Sequence, residues 1–364
     1  MNHRHTAFVL CLALASPVFA QKPNPKAATV IVDGELGKAL DAIVTKFDEA
    51  AGGFSGSVLV GKDGKVVLEK GYGLHDAATK TPIDVRASWD WASVTKQFTA
   101  AALLKLQDRK KLSLDDPLTK FWPKAKADKK AVTVRHLLNH TSGIESGFKS
   151  EWKFDSTKRE SFEELVLSLP MTSKPGEKFE YSNSGYAFAA ALVEKLSGKS
   201  FEDFCIDELF RPAGMKDAFM IGCKELDLER VPKIDRGVGF TDRPKEFRFA
   251  YGNELTWGYR GCGGVVATTR DMFAWDQALR GTKVLSEKAK KELYTVAKDD
   301  YALGWTRKRL PAGECVFHSG GVKGVVTMYY RLLEENVVVA LACNYEPKAN
   351  PGELAESLLS RAAK

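Results

Sequence analysis

Residues 93–111, SVTKQFTAAALLKLQDRKK, constrain the fold of this 364-residue chain more than any other stretch. Val94, Phe98, Ala101, Leu103, Leu104 and Leu106 spread apolar side chains around most of a helical circumference, with strong helix formers between them and neither Gly nor Pro to interrupt. Such a helix has no face to give to water, so it has to run through the middle of the molecule. Ser93 stands where the helix begins, and Lys96 lies three residues on, sharing its face. A hydroxyl and an amine thus meet at the positive end of a helix. The helix end and burial both disfavour the ammonium, which lets Lys96 take a proton from Ser93, and the same dipole favours an oxyanion formed beside it. Ser93 and Lys96 are therefore a candidate nucleophile and its proton partner. S-x-x-K recurs at Ser146 and Ser150, but in a polar stretch with no apolar run behind it, which reads as loop.

The first twenty residues have the pattern of a secretory signal: Arg4, the short apolar core TAFVLCLALASP, and VFA at 18–20 as the cleavage site. The expected product, residues 21–364, is a periplasmic or secreted protein, with no later segment long and apolar enough to span a bilayer. Cys205, Cys223, Cys262, Cys315 and Cys343 remain after cleavage, an odd number that leaves at least one thiol outside any disulfide. Cys205 with Cys223 is the nearest pair in sequence. The net charge of +7 is made of interspersed charges, which gives no support to nucleic-acid binding. His136 and His140 have i,i+4 spacing, but Leu-Leu-Asn between them lacks the Glu of a zinc hydrolase helix. Neither a metal nor an organic cofactor is expected, and no feature speaks to the oligomeric state.

In chain order, Leu36, Leu40, Ile43, Val44 and Phe47 mark an amphipathic helix. SGSVLVG and KVVLEKGYG flank a tight turn at Asp63-Gly64 and read as an antiparallel hairpin. Gly56 to Lys62 fits G-x-x-x-x-G-K, yet Asp63 follows and no helix opens there, so a phosphate-binding loop is rejected. Helices are expected after Thr133 (a short one), after a capping box at Ser161 and Glu164, over 184–197 up to Gly198, and from Ser200 to just before Pro212. GGVVATT at 263–269 leads into a helix capped by Thr268 or Thr269. The runs CVFHS, VVTMYYRL and VVVALAC are β-rich, and a helix carrying Leu354, Leu358 and Leu359 ends the chain. Strands at both ends with helices between predict an α/β fold: one antiparallel sheet built from both chain termini (about 30–90 and 255–364) and flanked by helices, with an inserted mainly helical lobe (about 93–250).

Three motifs occur in the order used by the serine β-lactamase and penicillin-binding superfamily: Ser93-Val-Thr-Lys96, Tyr181-Ser-Asn183 and His318-Ser-Gly-Gly321. The chain resembles the class C-like branch of that superfamily, which holds DD-carboxypeptidases, D-amino-acid peptidases, esterases and class C β-lactamases. RHLLNHTSG at 135–143, PGEKFEYSNSGY at 175–186, GGVVATTRDM at 263–272 and YALGW at 301–305 extend the resemblance over nearly the whole chain beyond the signal. A second Y-x-N at Tyr251 and Asn253 lacks the PGEKFE lead-in and is given no role. The resemblance implies a β-lactamase-like fold, Ser93 as acyl-accepting nucleophile and Lys96 as its proton partner. It implies Tyr181 as general base, held as or near phenolate by the Lys96 ammonium, and Asn183 as a hydrogen-bond partner of Lys96 and of the substrate amide. His318, Ser319, Gly320 and Gly321 would line the other side of the cleft, with the N–H groups of Ser93 and Gly321 forming the oxyanion hole.

Class C β-lactamases carry Lys-Thr-Gly where this chain has His318-Ser319-Gly320. A lysine there is a fixed charge for a drug's carboxylate, whereas a histidine near its reference pKa of about 6.5 is mostly neutral at pH 7 and charges on acidification. The expectation is therefore an exported serine hydrolase acting on D-amino-acid peptides or small esters. A class C-like β-lactamase and a slow-turnover penicillin-binding receptor are the alternatives. A G-x-S-x-G element, which a Ser-His-Asp hydrolase would need, is absent from the sequence.

Overall fold

The computed structural model describes residues 29–146, 158–221, 230–231, 256–322 and 324–364. The signal segment, Ser150, Cys223 and Tyr251–Asn253 lie outside these. Seven strands form the main sheet, in the spatial order Ile31–Val32, Lys65–Tyr72, Gly56–Lys62, Val337–Cys343, Val325–Leu332, Gly313–Val322 and Thr306–Leu310. Every neighbouring pair is antiparallel. The sheet is thus built from both ends of the chain, as the terminal β-rich runs predict. Asp63 and Gly64 both have positive φ (51° and 74°), the backbone of a type I′ hairpin turn, whose twist matches the strands it joins.

Both faces of the sheet are covered, which explains why VVVALAC is apolar without interruption. Val337, Val339 and Leu341 face one cluster, where Leu40 and Val44 of the Gly34–Lys46 helix and Leu354, Leu358 and Leu359 of the Pro351–Ala363 helix complete the packing. Val338, Ala340 and Ala342 face the other cluster, shared with the helical lobe. Inside that lobe lies the Lys96–Asp108 helix, with ten of its thirteen residues buried. Phe98 on this helix meets Phe210 edge-on at 5.3 Å and Trp275 at 4.6 Å. The helix does run through the centre, as its all-round apolar pattern demands.

Local details depart from the sequence reading. Ser93 does not cap the α-helix but lies in a 3-10 turn, Ala92–Thr95, that runs into it. The capping box expected at Ser161 does not form: that helix spans Arg159–Ser168, leaving Ser161 and Glu164 exposed within it. Phe162 and Val166 are already packed in the core, and Arg159 is tied to Glu163 and Glu194, so tertiary contacts set the start. The Ser200-capped helix does not stop before Pro212. It widens into a π turn over Ile206–Phe210 and continues as Arg211–Ala213, ending at Gly214 in the left-handed region. The wide turn removes the tight i−4 packing against which a proline ring would clash. The edge strand Thr306–Leu310 and a small sheet of Trp89–Asp90, Val265–Ala267 and Phe219–Met220 add to the strands that the sequence pattern marks.

Gly304 ties the loop before the edge strand to the central helix. Its φ is +74°, and a Cβ there would lie 2.7 Å from both the Gln97 nitrogen and the Lys96 carbonyl carbon. Gly304→Ala combines left-handed strain with a backbone overlap that cannot relax alone. It is expected to lower stability by about 2–5 kcal/mol, read as a reduced midpoint in urea with an unchanged m-value.

Candidate active site

The turn that presents Ser93 begins with a strained residue. Ala92 sits at φ +45°, and its N–H donates to the buried Asp90 Oδ1 at 2.8 Å. Tyr259 donates its hydroxyl to the same carboxylate, at 3.0 Å from Oδ2. From the sheet side, Gly320 packs against the turn so closely that a Cβ would lie 2.4 Å from the Trp91 carbonyl oxygen. Thr327, paired with Gly320 on the next strand, donates its hydroxyl to that oxygen at 3.2 Å. The turn is thereby clamped between the small sheet and the main one.

In a 3-10 turn residues three apart eclipse, which stacks Lys96 over Ser93. Lys96 is fully buried. Its Nζ donates to Ser93 Oγ at 3.1 Å, to Asn183 Oδ1 at 2.8 Å and to the Cys262 carbonyl at 3.0 Å. Three oxygens match the three N–H donors of an ammonium. The same nitrogen lies 4.7 Å from the centroid of the Tyr181 ring. Asn183 opens the Asn183–Ser197 helix, where Ser182 is the cap and accepts the Gly185 N–H. Ser93, Lys96, Tyr181 and Asn183 are thus gathered at one point from two separate stretches of sequence. The Cys262 carbonyl is a partner that the sequence reading missed, since a backbone acceptor leaves no mark in residue type.

Across the cleft, Ser319 and Gly321 are exposed and Gly320 is buried in the clamp. A Cβ on Gly321 would meet nothing within 4 Å, so its backbone borders open space. The edge strand covers the 313–322 strand only as far as Phe317. His318 corrects an expectation. It is 5% exposed, and both ring nitrogens are engaged: Nδ1–H donates to the Ser319 carbonyl at 2.6 Å and Nε2 accepts from the Tyr301 hydroxyl at 3.0 Å. Burial first, and then the neighbouring Lys96 ammonium, push it down to about 3. It does not charge on mild acidification, because a second buried cation would lie beside Lys96. Tyr301 is the residue that pins it; a bond between residues 17 apart, on either side of the edge strand, has no signature in spacing.

His136 and His140 do not act as a pair. The Nδ1 of His136 accepts the Thr133 N–H, completing the capping box of the Val134–Leu138 helix, while the Nδ1 of His140 accepts the Ser182 N–H. Cys205, Cys262, Cys315 and Cys343 are buried, and the pairing of Cys205 with Cys223 falls outside the described residues.

Fold and cleft together define a scaffold that sets a serine against a buried lysine, with a tyrosine at its side. The Beta-lactamase family model matches residues 40–364, and the chain belongs to that family. It is 28% identical over 314 residues to penicillin-binding protein 4* of Bacillus subtilis, spanning 80% of this chain and 68% of that one. It is 31% identical over 254 residues to the D-aminopeptidase of Brucella anthropi, covering 67% of this chain but only 46% of that protein's length. The octameric penicillin-binding protein homologue from Pyrococcus abyssi superposes with a TM-score of 0.76 at 26% identity, over 90% of this chain and 77% of that one.

The state of His318 has a measurable consequence. Its pKa is lower folded than the unfolded value of about 6.5, so the unfolded chain binds the proton first and stability is lost as pH falls from about 6.5 towards 3. Between pH 7 and pH 5 this histidine accounts for a loss of about 2 kcal/mol, and the buried His140 acts in the same direction. Urea unfolding at the two pH values should show a smaller loss in His318→Gln than in the wild type. In the native state the ring-nitrogen NMR shifts should stay those of the neutral Nδ1–H tautomer down to pH 5. A midpoint near 6 would contradict the arrangement.

Proposed function

We propose that this chain is an exported serine hydrolase that forms an acyl-enzyme on Ser93 and acts on D-amino-acid peptides or small esters. The observation that carries the reading is the Lys96 ammonium, which touches Ser93 Oγ and Asn183 Oδ1 at once beneath the Tyr181 ring. Asn183 and the Cys262 carbonyl take up the other N–H groups of Lys96, which holds the Ser93 Oγ in place while Tyr181, in its phenolate form, takes the Ser93 proton. The Oγ attacks the substrate carbonyl, and the resulting oxyanion lies between the N–H groups of Ser93 and Gly321. Tyr181 returns the proton to the leaving amine or alcohol as the carbonyl–leaving-group bond breaks. A water then attacks the acyl-enzyme carbonyl, giving its proton to Tyr181, which passes it to Ser93 Oγ as the acyl–oxygen bond breaks and the acid is released. The strand edge beyond Phe317 suits an extended substrate backbone. The signal pattern at the N-terminus supports export, and the D-aminopeptidase relative supports the substrate class.

A β-lactamase reading is weaker at one place. His318 is buried, neutral and held by Tyr301, so it supplies no charge to a drug's carboxylate. Lowering the pH to 5.5 is expected to leave KM for a carboxylate-bearing β-lactam unchanged to within about two-fold, because His318 stays neutral.

The deciding assay compares wild type and Ser93→Ala on a p-nitrophenyl ester, a D-Ala-D-Ala peptide and nitrocefin. Turnover of the ester or peptide that vanishes with Ser93 supports the reading; a burst without turnover favours a penicillin-binding receptor. Lys96→Ala and Tyr181→Phe should each lower kcat by about 10²–10⁴, and together by far less than the product. After treatment with a fluorophosphonate, peptide mass spectrometry should place one adduct on Ser93. Modification of Ser146 or Ser150 instead would refute the assignment.

A further inference from the structure

His140 is buried, titratable and absent from the mechanism above. It sits just beyond the Val134–Leu138 helix at φ +60°, a left-handed backbone that costs energy in any residue but glycine. That backbone lets one residue grip the segment opposite in two places. The His140 carbonyl accepts the Glu180 N–H at 2.8 Å, and its ring Nδ1 accepts the Ser182 N–H at 3.0 Å. Between these two anchors stands Tyr181, whose ring lies against the His140 ring at 4.3 Å between centroids. Tyr301 and Tyr186 pack on the same imidazole at 4.7 and 5.0 Å, so its place is set from several elements.

We propose that His140 is the positioning residue of Tyr181, fixing the backbone on both sides of it and the face of its ring, and so aiming the phenol at Lys96 and Ser93. This rests on the reading that Tyr181 carries the proton. Its Nδ1 has to stay a bare acceptor, which requires the neutral Nε2–H tautomer. Burial, the Lys96 ammonium and His318 all oppose a charge on the ring, and the hydroxyls of Tyr181, Tyr186 and Tyr301 complete the titratable groups around it. The Nε2 is buried without a hydrogen-bond partner. A residue selected only to fill the space would not need a polar atom there; the Nδ1 contact needs a ring that carries one.

The test uses two amides. Asn at 140 puts its Oδ1 about where Nδ1 sits and tolerates left-handed φ; Gln has no acceptor at that place. His140→Gln should lower kcat for a p-nitrophenyl ester by about 10- to 100-fold, the usual effect of a misplaced catalytic group, while KM changes less than about three-fold. His140→Asn should retain activity to within about five-fold. In the Tyr181→Phe background His140→Gln should add less than about three-fold, because its effect travels through the lost hydroxyl. Strain or lost packing alone would lower the thermal midpoint yet leave the two losses multiplicative. Wild-type kcat in His140→Gln, no advantage of Asn over Gln, or an undiminished loss in the Tyr181→Phe background would each overturn the proposal. A near wild-type Tyr181→Phe enzyme would instead fail the parent reading. Should the Gln variant not fold, ring-nitrogen NMR of the wild type still decides: an Nδ1 shift of a protonated nitrogen excludes the bond to Ser182.

Discussion

A fully buried ammonium is the constraint on which the cleft depends. Removing a lysine from water costs several kcal/mol, and neutral oxygens offset this only if every N–H finds one. Lys96 finds three, from Ser93, Asn183 and Cys262, which lie far apart in the chain. Each supplier therefore has to be held to within a few tenths of an ångström. Gly261, at φ +78°, lets the Cys262 segment press on the helices: a Cβ there would lie 2.5 Å from Ala190 Cβ. The Gly261 carbonyl accepts the Thr99 hydroxyl at 2.6 Å, and Thr95 Oγ1 accepts the Val265 N–H at 3.1 Å. The segment 259–265 is thus stitched along the nucleophile turn and the first turns of the central helix.

What the sequence made legible follows from periodicity and residue type. An apolar pattern around a whole circumference placed the Lys96–Asp108 helix at the centre, and alternating or continuous apolar runs placed the strands at the two ends. The Ser93, Tyr181 and His318 motifs were legible through their order, and the fold brings the first two together at Lys96. Backbone acceptors, left-handed residues and contacts that join distant loops were not. Ala92, His140, the Cys262 carbonyl and Tyr301 act through φ angles or through one bond to a residue far along the chain. The Ser161 capping box failed for a related reason: a local pattern worth about 1 kcal/mol yields to burial of Phe162 and Val166.

His318 shows how burial can change the meaning of a motif. Read in sequence it is a titratable group at the mouth of a cleft. In the fold it is enclosed, tautomerically fixed and joined to Tyr301, so its contribution is to the shape of the strand rather than to charge. The exposed parts of that motif are Ser319 and the Gly321 backbone. In the proposed reaction a substrate therefore meets hydrogen-bonding groups on this wall, which suits a neutral ester or peptide.

In the proposed reaction Ser93 Oγ attacks a carbonyl whose oxygen is received by two backbone N–H groups, one on the nucleophile turn and one on the facing strand. A crystal structure of the fluorophosphonate adduct tests this most directly, since the phosphoryl oxygen stands in for the oxyanion. The expected result is a covalent bond from Ser93 Oγ to phosphorus, with that oxygen about 2.7–3.1 Å from the nitrogens of both Ser93 and Gly321. A phosphoryl oxygen turned away from Gly321, or phosphorus bonded to any other side chain, would contradict it.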